Sequence, residues 1–141
     1  MWILFAFGSA FFAGLTVILA KCGIKKTDSD AATAIRTVVV LIFSWLMVAI
    51  VGSGAGISNL STKTWIFLIL SGIATGASWL CYYKALQDGL ASVVVPIDKL
   101  SILVSIGFSA LVFKEHLSKK AAIGLAFIVA GTLIMLIKLP T

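Results

Sequence analysis

Apolar residues fall along this chain in blocks of roughly 20, the length an α-helix needs to cross the hydrocarbon core of a bilayer. Five blocks fit: Trp2 to Ala20, Ala31 to Val51, Trp65 to Leu86, Ser92 to Phe113 and Ala121 to Ile137. They are too long for the strands of a membrane barrel, and lipid offers backbone N–H and C=O groups no partner, so each span must satisfy its own ladder as a helix. The pattern predicts an all-α, polytopic membrane protein, a single domain over residues 1–141 built as a bundle of five transmembrane helices. The polar punctuation agrees. Thr27, Ser29 and Asp30 are candidate caps for the second helix, and Gly52-Ser53-Gly54-Ala55-Gly56 stops it. Ser61-Thr62-Lys63-Thr64 offers hydroxyl caps ahead of the third helix, Asp88-Gly89 breaks its end, and Lys114 to Lys120 joins the last two.

Composition removes the soluble reading. The chain is 61% hydrophobic and 11% charged, with a mean hydropathy of +1.17. Soluble domains are nearer one quarter charged, and a chain this short has too little interior to hide so much apolar surface. Net charge is +6, but the basic residues sit mostly near block ends instead of forming a tract. That distribution fits contact with membrane lipids and argues against nucleic acid as a partner. Cys22 and Cys81 lie in different blocks, without a CxxC or a histidine at ligand spacing, so neither a disulfide framework nor a metal site is expected. Leu19-Ala20-Lys21-Cys22 faintly imitates a lipoprotein cleavage box, yet Lys21 spoils it and no Lys or Arg precedes the block. Trp2 to Ala20 is therefore read as a permanent helix.

Several polar residues lie inside the blocks. In the third, Ser71, Thr75, Ser78 and Tyr82 share one stripe, while Gly72, Gly76, Trp79 and Tyr83 share the next. The GxxxG spacing suits close helix packing with an aromatic belt at the membrane edge, and the hydroxyl stripe suits a solute-lined cavity. The fourth block contains Pro96, Asp98 and Lys99. A charge at a helix centre costs roughly 2.5–3.5 kcal/mol, and proline removes a helical donor and crowds the preceding turn. Either the proline kinks the helix near the membrane edge and Lys99 snorkels outward, or the charges face an interior path. Asp98, Ser101, Ser105 and Ser109 share a face, and Lys99 lies about 100° round from Asp98, so the two need not pair. Arg36 sits one to two turns into the second block beside Thr33 and Thr37, where snorkelling and solute binding are both open. Gly124 and Gly131 belong to a small-residue seam in the fifth block, suited to packing against another helix, such as one of a second subunit. His116 has no catalytic constellation at recognisable spacing, so no catalytic residue, enzyme activity or cofactor is expected.

Five spans put the two chain ends on opposite sides. Lys63, Lys114, Lys119 and Lys120 then fall on the amino-terminal face, and Lys21, Lys25, Lys26, Arg36, Lys84 and Lys138 on the other. So weak a bias fixes orientation poorly. A subunit that inserts both ways to build an antiparallel dimer would have this character, and the dimer would reproduce an inverted-topology repeat with a site near the midplane.

The run from Gly72 through Trp79, Tyr82, Tyr83, Lys84, Ala85 and Leu86 to Gly89 and Ser92 is followed by Val95-Pro96. Phe113-Lys114-Glu115-His116-Leu117-Ser118, Gly124 and Ala130-Gly131-Thr132 come later. Together these resemble the EamA type of the drug/metabolite transporter superfamily across essentially the whole chain. Typical members have ten spans made of two inverted five-span repeats. The resemblance implies that this chain is one half of such a ten-helix transporter, acting as a homodimer or as a heterodimer with a sister chain. It implies a small metabolite or drug as substrate, alternating access, and a bacterial or archaeal plasma membrane as location. Pro96 matches the family's helix-breaking proline and Glu115 the acidic residue after that span, a candidate gate or latch. Trp79, Tyr82, Tyr83, Asp98 and Lys99 occupy positions of the kind that line the cavity. The Asp98-Lys99 pair is less usual in the family.

The expectation is a secondary transporter subunit in which Arg36 and Lys99 contact an anionic or zwitterionic solute. Ser71, Thr75, Trp79, Tyr82, Tyr83, Pro96, Ser101 and Ser105 complete the candidate binding set. Asp98 is the candidate for proton coupling, because a carboxyl held away from water can be neutralised within a transport cycle. The competing expectation is a non-transporting membrane subunit or regulator that uses its glycine seams to hold a partner membrane protein.

Overall fold

A computed structural model describes residues 1–114 and 116–137. Among these, regular structure is entirely helical. The elements are α1 (Trp2–Gly23), α2 (Ser29–Val51), α3 (Thr62–Asp88), α4 (Ala91–Asp98), α5 (Ser101–Val112) and α6 (Lys119–Ile137), with 3₁₀ turns at Ile24–Lys26 and Ser53–Asn59. Five stretches are long and apolar enough to cross a bilayer, α4 and α5 together forming the fourth. Large apolar side chains such as Phe5 and Phe127 stand about three-quarters exposed. For a lipid-embedded helix that is the expected outward face.

Helix ends follow local capping chemistry. At the start of α2 the cap is Asp28, whose Oδ1 accepts from the Asp30 N–H at 2.9 Å, and not Thr27, Ser29 or Asp30 as the sequence suggested. Ser29 instead becomes the first helical residue, and its carbonyl accepts from the Thr33 hydroxyl at 2.8 Å. Gly52 closes α2 in the left-handed region at φ 73°, its N–H donating to the Val48 carbonyl at 3.0 Å. Glycine holds this conformation without a Cβ penalty. Ser61 accepts from the Thr64 N–H, so α3 begins three residues before Trp65. Ser118 likewise accepts from the Ala121 N–H, which starts α6 two residues before Ala121. Inside the spans, Thr16, Thr37, Ser44, Thr75 and Thr132 donate to carbonyls four residues earlier. Each hydroxyl is thereby satisfied within its own helix, as an apolar solvent requires.

The described residues divide after Asp88 into two compact units. In the first, α3 packs on α2 and α1. Its best-buried side chains, Ile24, Tyr83, Leu86, Ser29 and Thr33, gather where α1 ends, α2 begins and α3 ends. Side chains tie these ends together: Lys21 Nζ donates to the Leu86 carbonyl, and Gln87 Nε2 donates to the carbonyls of Thr27 at 2.9 Å and Ile24 at 3.4 Å. In the second unit α4 packs on α6, with Val94 and Thr132 buried.

The fourth span is interrupted, and the break falls at Lys99 and Leu100, after Pro96 instead of before it. Leu100 donates to Ile97, Ile102 to Lys99 and Leu103 to Leu100, each one residue short of the α-helical acceptor. The segment is overwound into 3₁₀ pairing, the usual form of a helix under local strain. Pro96, with no N–H and a ring set against the turn before it, stands in the last turn of the eight-residue α4.

Candidate functional site

Arg36 leaves α2 toward α3, where Trp79 and Tyr83 stand one turn apart. Its guanidinium carbon lies 4.3 Å from the Trp79 ring centroid and 5.5 Å from that of Tyr83. Both distances are within cation–π range. Tyr82 meets Tyr83 edge to face, ring centroids 6.1 Å apart. Tyr83 is only 3% exposed, and its hydroxyl has no hydrogen-bond partner among the described residues. Nor does any carboxylate of its own unit pair with Arg36: Asp28 caps α2, and Asp88 lies 3.3 Å from Lys84.

Arg36 and Tyr83 line a cavity of about 500 Å³ between α1 and α2. Thr16, Leu19, Ala20 and Gly23 come from α1, Ile24 and Thr27 from the connection, and Ala32, Ile35, Val39 and Val40 from α2. Its polar groups are few and its walls mostly aliphatic, the usual make-up of a small-molecule site. Sequence reasoning found Arg36 and Tyr83 but missed the α1 wall. Thr16, the one threonine of that helix, was the available signal. Ile35 and Val39 flank Arg36 at helical spacing and could have been grouped with it.

Trp79 and Tyr83 thus serve the cation while sharing a face with Gly72 and Gly76. Ser71 and Thr75, on the neighbouring stripe, are exposed and lie outside the cavity lining. Around Gly72 and Gly76, and around Gly124 and Gly131 in the second unit, no atom of another helix of the same unit comes within 4 Å of where a Cβ would stand. Whatever those seams pack against, it is not a neighbouring helix of their own unit.

In the second unit Asp98 and Lys99 lean together, Oδ2 to Nζ 3.6 Å, although a regular helix would set them about 100° apart. Their side chains are 36% and 60% exposed. The pair stands at the Lys99–Leu100 break, with Ser101 opening α5. Ser105 and Ser109 line a smaller cavity of about 180 Å³ with Ile106, His116 and Leu117. His116, set aside in the sequence for want of catalytic neighbours, is therefore brought to the hydroxyl face of α5 by the loop's return. Glu115, the latch candidate, lies outside the described residues. Among the described residues no cluster of His, Cys, Asp and Glu could hold a metal ion.

Five helices long and apolar enough to cross a bilayer define a multi-pass integral membrane protein. Residues 1–137 match the EamA-like transporter family, and the chain belongs to that family. It is 46% identical over 134 residues to an uncharacterized transporter in the cobO 3′ region of Sinorhizobium sp, and the match spans 95% of each chain. An uncharacterized protein of Methanocaldococcus jannaschii is 29% identical over 103 residues, 67% of this chain and 75% of its own. No solved structure matches the chain.

Proposed function

We propose that the chain is one subunit of a secondary transporter that moves a small metabolite or drug by alternating access, assembled as an antiparallel dimer. The observation that carries this reading is Arg36: a guanidinium inside a spanning helix, beside a cavity, with no counter-anion of its own unit. A charge in a span is costly, so one kept without a partner is best explained by a solute that supplies it. The dimer is supported by the Sinorhizobium relative, 95% of whose own length is matched by these five spans, since inverted repeats build their site between two halves. Orphan glycine faces at Gly72, Gly76, Gly124 and Gly131 fit helices of a second copy. Asp98, 3.6 Å from Lys99 at the helix break, is the candidate for proton coupling.

A thermal-shift screen of the purified chain against pooled metabolites identifies the solute, because a ligand of the folded state raises apparent stability. Proteoliposomes then test transport. The wild-type chain accumulates the solute, and Arg36→Gln inserts normally but does not. Asp98→Asn loses accumulation driven by a proton gradient while retaining solute exchange. A chain that moves no ligand found in the screen, and copurifies with one larger membrane protein, would be an accessory subunit and the proposal would fall.

A further inference from the structure

The polar groups of the α1–α2 cavity specify more than a solute of unknown kind. An aromatic ring offers a guanidinium electrostatic attraction but no lone pair, so the contacts of Arg36 with Trp79 and Tyr83 leave its planar fork of N–H donors without acceptors from its own unit. The Tyr83 hydroxyl, nearly fully buried on a cavity-lining side chain, is a further unsatisfied group. A buried hydroxyl is rarely left this way in native proteins. A planar oxyanion would satisfy both, taking two N–H bonds from Arg36 and one O–H bond from Tyr83.

Charge and shape narrow the class. Among the described residues that line the cavity Arg36 is the only cation, and one guanidinium balances one negative charge. A dianionic phosphate would keep a second charge uncompensated among aliphatic walls. Thr16, Thr27, Arg36 and Tyr83 give the lining its polar groups, and Leu19, Ile35, Val39 and Val40 give it apolar wall. We propose that this cavity binds an amphipathic monocarboxylate, its carboxylate on Arg36 and Tyr83 and its apolar body between α1 and α2. The assignment rests on the transport reading for its purpose but not for its test.

Equilibrium binding to the full chain in lipid nanodiscs reads it directly. Octanoate, a water-borne probe, and oleate, a bilayer-borne one, are each titrated against wild type, Arg36→Gln and Tyr83→Phe, with octanol and octyl phosphate as comparators. The expected result is saturable binding of at least one acid, weakened about a hundredfold by Arg36→Gln and about tenfold by Tyr83→Phe. The acid that binds identifies the source. Tyr83→Phe keeps the ring, so it tests the site even where Arg36→Gln folds poorly. Octanol binding as tightly as octanoate, octyl phosphate binding more tightly, acids ignoring both substitutions, or no acid binding at all would each overturn the proposal. A transporter of some other solute fails this titration yet passes the flux test, and a non-transporting binder does the reverse.

Discussion

Arg36 and Lys99 are both cations placed within spanning segments, and the two units of the molecule treat them differently. In the first unit the charge rests on the faces of Trp79 and Tyr83, beside a cavity of about 500 Å³ and with no carboxylate of that unit to neutralise it. In the second, Lys99 lies 3.6 Å from the carboxylate of its own neighbour, and both side chains are substantially exposed. A cation supported by aromatic rings remains available to an incoming anion. One already paired with an acid has first to give that acid up. The contrast is between a cation left without a carboxylate of its own unit beside a cavity and a cation paired with its neighbour at a helix break.

The largest effect should come from the unpaired cation. Arg36→Gln is expected to lower uptake about a hundredfold, the scale set by losing one partner of a desolvated charge pair. Lys99→Gln should lower it much less, and equal losses in a side-by-side flux assay would erase the contrast. Next is the helix break. Pro96→Ala restores a backbone donor in α4 and should raise stability by about 1–3 kcal/mol in detergent unfolding, since proline costs that much inside a helix. An unchanged or lower midpoint would mean that the Lys99–Leu100 break does not depend on the proline.

How far these two regions were legible beforehand differs in the same way. Pro96, Asp98 and Lys99 announced themselves because they violate the rules of an apolar helix one residue at a time. The Arg36 site did not, because its parts lie 43 and 47 residues apart along the chain, at positions 36, 79 and 83. Trp79 and Tyr83 looked equally suited to an aromatic belt.

Smaller effects refine the comparison. Trp79→Leu removes the closer of the two rings and should weaken solute binding about fivefold, the value of a cation–π contact near 1 kcal/mol. An unaltered affinity would shift the supporting role to Tyr83. Lys114 has a φ of 54°, a left-handed conformation that an L side chain adopts at some cost. Lys114→Gly should therefore stabilise the second unit by about 0.5–1 kcal/mol and leave solute affinity unchanged. The smallest effect is expected from Asp98→Asn: an exposed ion pair contributes about 0.5 kcal/mol or less to folding, so its unfolding midpoint should hardly move. A large destabilisation would make that pair structural.

Sequence alone determined the membrane class, the five spans, most of their ends and the family, because hydropathy, helical period and capping are local properties of consecutive residues. Even there, Asp28 displaced the nearby hydroxyls as the cap of α2, since adjacent candidates differ only in backbone conformation. Tertiary structure decided which polar residues meet. Arg36 could have pointed to headgroups, but the rotation of α2 against α3 put it over two rings, and the approach of α1 gave the open cavity beside it a second wall. Neighbours across helices depend on how packed surfaces settle against one another, and no local pattern encodes that outcome.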